Sequence, residues 1–140
     1  MSWPAFALLA AFFAALTAIL GKIGVQGIDS NLAVAIRTSV IVIFAWGLVL
    51  AQGSMAAIPA IAGRSWVFLV LSGIATGLSW LFYYRALQLG PASRVAPVDK
   101  LSVVLTMVLA FLILGEPPTL GTVAGGLLIT AGALVMIYAR

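Results

Sequence analysis

Four charged side chains fall inside long apolar stretches of the sequence: Arg37, Arg85, Asp99 and Lys100. A charge at the centre of a bilayer costs at least about 2.5 kcal/mol on insertion scales, so residues of this kind face a partner or a polar cavity. Asp99 is too short to reach an interface. It is expected to pair, directly or through a water, with Arg37, Arg85 or Lys100, in this chain or a partner. Consecutive residues on a regular helix point about 100° apart, so Asp99 and Lys100 are expected to pair poorly with each other. Arg85 and Arg94 have a blander alternative, reaching the nearer membrane face with their long stems. Pro97, two residues before Asp99, removes a backbone hydrogen bond and clashes with the carbonyl of Ser93, which predicts a kink beside the charges. Ser93 and Ser102 add hydroxyls, and Trp80, in the middle of its stretch, needs a partner for its indole N–H. A broken helix with polar residues at the break is the pattern of a solute-binding site in a carrier.

Bond-making chemistry has little to work with. The chain has no Cys and no His, which removes disulfides, thiol nucleophiles, His general bases and the usual zinc sites. It has three carboxylates in all, little for a hydrolase dyad or a metal cluster. There is no P-loop and no nucleophile motif. The expectation is a protein that is not an enzyme and carries no metal or cofactor. The net charge of +4 is not gathered into a basic run, so nucleic acid is not an expected partner.

The elements that must hold these residues are legible from composition. Of 140 residues, 64% are hydrophobic and 7% charged, against about 25% charged in soluble domains. The lipid bilayer is the expected partner. Crossing the hydrocarbon takes about 20 apolar residues, and five such segments are predicted as helices: residues 4–21, 32–52, 66–88, 92–114 and 119–138. The whole chain, residues 1–140, reads as one all-α membrane domain, a five-helix bundle. Asp29–Asn31 supply helix N-caps in the first connection. Gly53, Ser54, Pro59, Gly63 and Arg64 mark the second, Gly90-Pro91 the third, and Gly115-Glu116-Pro117-Pro118 the fourth. Trp3 and Trp66 belong at one membrane edge, and Tyr83, Tyr84 and Tyr138 towards the other. Gly73 and Gly77, and Gly121, Gly125 and Gly132, sit at spacings that let helices approach closely in lipid.

An odd number of spans puts the chain ends on opposite sides. Arg64 lies on the N-terminal side, and Lys22, Arg94 and Arg140 on the C-terminal side, which predicts a multi-pass protein with its C-terminus inside, in the cytoplasmic membrane if bacterial.

Leu114-Gly115-Glu116, Thr119, Gly125, Leu128-Ile129 and Gly132 resemble the end of an EamA-type domain of the drug/metabolite transporter superfamily. Ala86-Leu87 followed by Ala92-Ser93 resembles that domain's turn between its third and fourth helices, and Arg37 the Arg often found in its second. The resemblance implies a helical membrane carrier. Most such proteins hold two five-helix domains in one chain, the second inverted relative to the first, with the substrate between them. With one copy, this chain is implied to be half of an inverted-repeat architecture, working as a homodimer or with a second single-domain homologue. Val103 departs from the family's usual Pro, and Arg85, Pro97, Asp99 and Lys100 stand where it tends to have apolar residues. Small multidrug relatives use a Glu in helix one, and Trp3–Gly21 has no carboxylate, which argues against their proton-coupled export of lipophilic cations.

The function expected is a secondary carrier moving a small metabolite by alternating access. Three in-span cations against one carboxylate favour an anionic or zwitterionic small-molecule substrate. Arg37, Arg85, Asp99, Lys100, Trp80 and Ser102 are the candidate substrate or coupling residues. The alternatives are a subunit of a lipid-linked flippase and a non-transporting membrane scaffold.

Overall fold

The computed structural model describes residues 2–138, and among these there is no β-strand. Six α-helices follow in order: α1 Trp3–Gly24, α2 Ser30–Ala51, α3 Gly63–Leu89, α4 Ala92–Asp99, α5 Leu101–Leu109 and α6 Leu120–Tyr138. Five stretches are long and apolar enough to cross a membrane, with Ala92–Leu114 counting as one span that takes in α4 and α5. The expected helices are all present, with ends shifted by up to three residues. Arg140 and its contribution to the charge balance lie outside the described residues.

Large apolar side chains point outward along every span. Ile43 is 74% exposed and Phe44 67%. A soluble fold does not tolerate apolar patches of this extent, whereas lipid tails accept them, and no helix needs to turn such a face inward. The 27 residues of α3 give a rod of about 40 Å. That exceeds a hydrocarbon layer of about 30 Å, so both ends reach the polar interface or the helix tilts.

The chain divides into two compact units, residues 20–88 and residues 1–19 with 89–140. In the first unit, Leu87 and Val25 are the fully buried side chains, joined by Tyr84, Ala33 and Val34. α2 starts where the sequence predicts a cap. The Asp29 carboxylate accepts hydrogen bonds from the backbone N–H groups of Asn31 at 2.9 Å and Leu32 at 3.0 Å, satisfying donors that the first turn leaves free. Between α2 and α3 runs a short 3₁₀ helix, Ser54–Ala60, containing Pro59.

In the second unit, α4 and α5 both pack on α6, with Ala133 of α6 buried. The span Ala92–Leu114 is interrupted at Lys100, three residues beyond Pro97. Pro97 has no N–H for the carbonyl four residues back. The Lys100 N–H then bonds the Pro97 carbonyl at 3.1 Å, and the Val103 N–H bonds the Lys100 carbonyl at 3.0 Å, the tighter three-residue spacing that marks a local change of helix type. The break thus falls C-terminal to the proline, between the Asp99 and Leu101 turns. The span ends in a π turn, Ala110–Leu114, closed by Gly115 at φ +69°. This left-handed conformation suits Gly, and it lets the Glu116 N–H return to the Ala110 carbonyl at 3.2 Å, as helix C-terminal motifs do.

The glycines at four-residue spacing have open space beside them in this chain. A Cβ built on Gly73, Gly77, Gly125 or Gly132 meets nothing within 4 Å, and one on Gly121 meets only Thr119 of its own turn. Close approach within this chain falls instead at Gly21, beside Tyr84, and at Gly126, 3.3 Å from the Met107 sulfur. The four-residue pattern is correct for a helix face, but which face meets a neighbour depends on helix rotation, and the spacing does not carry that.

Candidate functional site

Arg37 lies seven residues into α2, about 10 Å along its axis. Ala33 and Val34, four and three residues earlier on the same face, are buried. On α3, Trp80, Tyr84 and Leu87 share one face at spacings of four and three. The two faces meet at Arg37. Its guanidinium carbon sits over the Trp80 ring, 3.4 Å from the ring centre, and 5.4 Å from the Tyr84 ring. Contact with a ring face stabilises the cation electrostatically, most strongly where water is absent. It does nothing for the N–H groups, which lie in the guanidinium plane and need acceptors of their own. Arg37 Nη1 is buried and has no hydrogen-bond partner. Buried donors are normally satisfied, and a charged one left bare is costly.

Towards the end of α3, polar groups hold the first connection in place. The Lys22 ammonium donates to the Leu87 carbonyl. The Gln88 amide donates to the carbonyls of Ile28 at 2.7 Å and Val25 at 3.4 Å. Arg85 donates to the Gln88 side-chain oxygen at 2.9 Å. Arg85 is exposed and works here as a neighbour of Gln88. Sequence reasoning used Lys22 only in the charge balance and passed over Gln88, because they stand at helix ends, where polar residues are ordinary. Their role shows only once the connection is folded against α3.

In the second unit, Asp99 pairs with Lys100 at 3.4 Å, with side chains 35% and 55% exposed respectively. The expectation that these consecutive residues pair poorly is corrected. Lys100 keeps a helical backbone, φ −68° and ψ −8°, and it is the reach of its exposed four-carbon stem that brings the ammonium back to the carboxylate. Ser102 is exposed, and its backbone carbonyl accepts from the Thr106 hydroxyl at 2.8 Å. α5, the π turn and α6 line a cleft of about 540 Å³, largely apolar, with Met107, Phe111, Val123 and Leu127 in its wall and Glu116 among its lining residues.

Each unit brings its own candidates together. Arg37 and Trp80 come together with Tyr84, Arg85 with Gln88, and Asp99 with Lys100. Among the described residues no cluster of three or more His, Cys, Asp or Glu side chains could hold a metal ion.

Five apolar spans define a multi-pass helical membrane protein. The chain belongs to the EamA-like transporter family, whose pattern matches residues 1–138. It is 50% identical over 135 residues, 96% of each chain, to a Sinorhizobium sp. protein described as an uncharacterized transporter in the cobO 3' region. No solved structure matches it.

Proposed function

We propose that this protein is a secondary carrier for a small anionic or zwitterionic metabolite, working by alternating access as a dimer or as one of a pair of related halves. Family membership supports the carrier. The preference for negative charge rests on one observation, the buried and unpartnered Nη1 of Arg37. A cation already stacked on Trp80 and still lacking an acceptor is suited to a ligand that brings one. Transport then needs no covalent step. The solute binds near mid-membrane, the two halves rock about it, and the opposite side opens. Insertion places the C-terminus inside, following the positive charges.

A thermal-stability screen of the purified protein against carboxylates, phosphates, amines and amino acids tests the substrate class, since a ligand held only by the folded state raises the melting temperature. Stabilisation by anions or zwitterions, followed by their uptake into proteoliposomes, is the expected result. Stabilisation by amines alone contradicts it.

The apolar cleft between α5 and α6 favours a second reading, a subunit of a lipid-linked flippase, because an apolar cleft of about 540 Å³ suits part of a lipid tail. Transbilayer movement of a fluorescent lipid in the same proteoliposomes, without solute uptake, distinguishes it.

A further inference from the structure

We infer that Arg37, Trp80 and Tyr84 form a subsite for a single carboxylate, making the substrate a monocarboxylate rather than a phosphate. This rests on the carrier reading and deepens it. The Trp80 face fixes one side of the guanidinium at 3.4 Å, so a ligand reaches the remaining donors edge-on, in the guanidinium plane. A carboxylate is flat and places its oxygens in that plane, the fork-to-fork geometry that Arg makes best. Nη1 is the donor waiting for it.

Charge balance separates carboxylate from phosphate. Within residues 20–88 the one carboxylate is Asp29, and its Oδ1 accepts from the backbone at the start of α2. It stands eight residues before Arg37, about 12 Å along the helix. The subsite thus offers one positive charge with no counter-charge supplied by its own unit. A monoanion neutralises that charge. A phosphate dianion leaves a net negative charge in a low-dielectric site and asks for more donors than one guanidinium edge provides. The other cations near the end of α3 are both engaged: Arg85, which is exposed, with Gln88, and the Lys22 ammonium with the Leu87 carbonyl.

The test uses the purified full-length protein with benzoate and pyruvate as monocarboxylate probes, and phosphate and methylammonium as controls. Thermal shift and tryptophan fluorescence give two readouts. Wild-type protein is expected to be stabilised by both monocarboxylates and by neither control, with a change in fluorescence that Trp80→Phe removes. Arg37→Met takes away the charge and is expected to weaken monocarboxylate binding by at least about 30-fold. Should that variant fold poorly, Arg37→Lys keeps the charge while losing the fork and the stack, and monocarboxylate binding is expected to fall with it. Binding that survives both substitutions overturns the subsite, and so does stabilisation by phosphate above that by benzoate. Counterflow of labelled pyruvate in proteoliposomes separates the two readings. Arg37-dependent binding without counterflow supports the subsite and removes the carrier. Counterflow indifferent to Arg37→Lys removes the subsite and supports the carrier.

Discussion

Tyr84 occupies the space that a methyl group at Gly21 needs: a Cβ built there lies 2.9 Å from the phenolic oxygen and 3.2 Å from the ring carbon bearing it. Tyr84 is 4% exposed, so the ring has little room to retreat. Gly21→Ala is therefore expected to lower stability by about 1–3 kcal/mol through overpacking, read as a lower melting temperature in detergent. Adding Tyr84→Phe removes the nearest atom and is expected to recover part of the loss. The same push reaches Arg37 through the Tyr84 ring, so Gly21→Ala is also expected to weaken ligand stabilisation.

Gln88 ties the first connection to α3 through the carbonyls of Ile28 and Val25. Gln88→Leu keeps the volume and loses both bonds. The loss is expected to cost about 0.5–1.5 kcal/mol, since the Ile28 bond is exposed and only the Val25 acceptor is part-buried. A nitroxide label at Gln26, an exposed position in that connection, is expected to become more mobile in the variant, as its electron paramagnetic resonance line shape reports.

Asp99→Asn preserves shape and removes the carboxylate that Lys100 meets at 3.4 Å. Transport is expected to be abolished while membrane insertion stays largely intact, measured as uptake normalised to the amount of inserted protein. Wild-type uptake by the variant assigns the pair a local, structural role.

Insertion in one orientation is testable because the chain has no native Cys. With one Cys placed in the connection at residues 55–63 and another appended after residue 140, an impermeant thiol reagent added outside is expected to label the first alone. A homodimer is then parallel, with its twofold along the membrane normal. Comparable labelling of both sites makes an antiparallel homodimer the better description.

The five spans were legible because hydropathy alone sets them, and lipid imposes helix on any apolar stretch of that length. The Asp29 cap was legible for a similar reason, since capping is decided within a few residues. What depends on helix rotation was not. Arg37 stands out in the sequence as a cost to be met, but nothing in the spacing of α2 and α3 says that Trp80 meets it. Likewise Gly125 and Gly126 are neighbours, and only the turn of α6 toward α5 makes Gly126 the one beside Met107. Pro97 foretold a disturbance. Its placement at Lys100, three residues beyond the proline, and the Asp99–Lys100 pairing show only in the folded chain.

The interruption at Lys100 gives the fourth span the mechanics of a jointed lever. An unbroken helix spreads bending over its whole length, because each turn is clamped to the next. Here two rods of eight and nine residues share a joint where three-residue bonds replace the four-residue ladder. Force applied at one membrane face concentrates at that residue. A swing of one rod leaves the other's internal bonds intact, so the distance an end travels is set by rod length rather than by how much helix must melt. The charged pair rides on the pivot itself, where it turns with the lever while moving least.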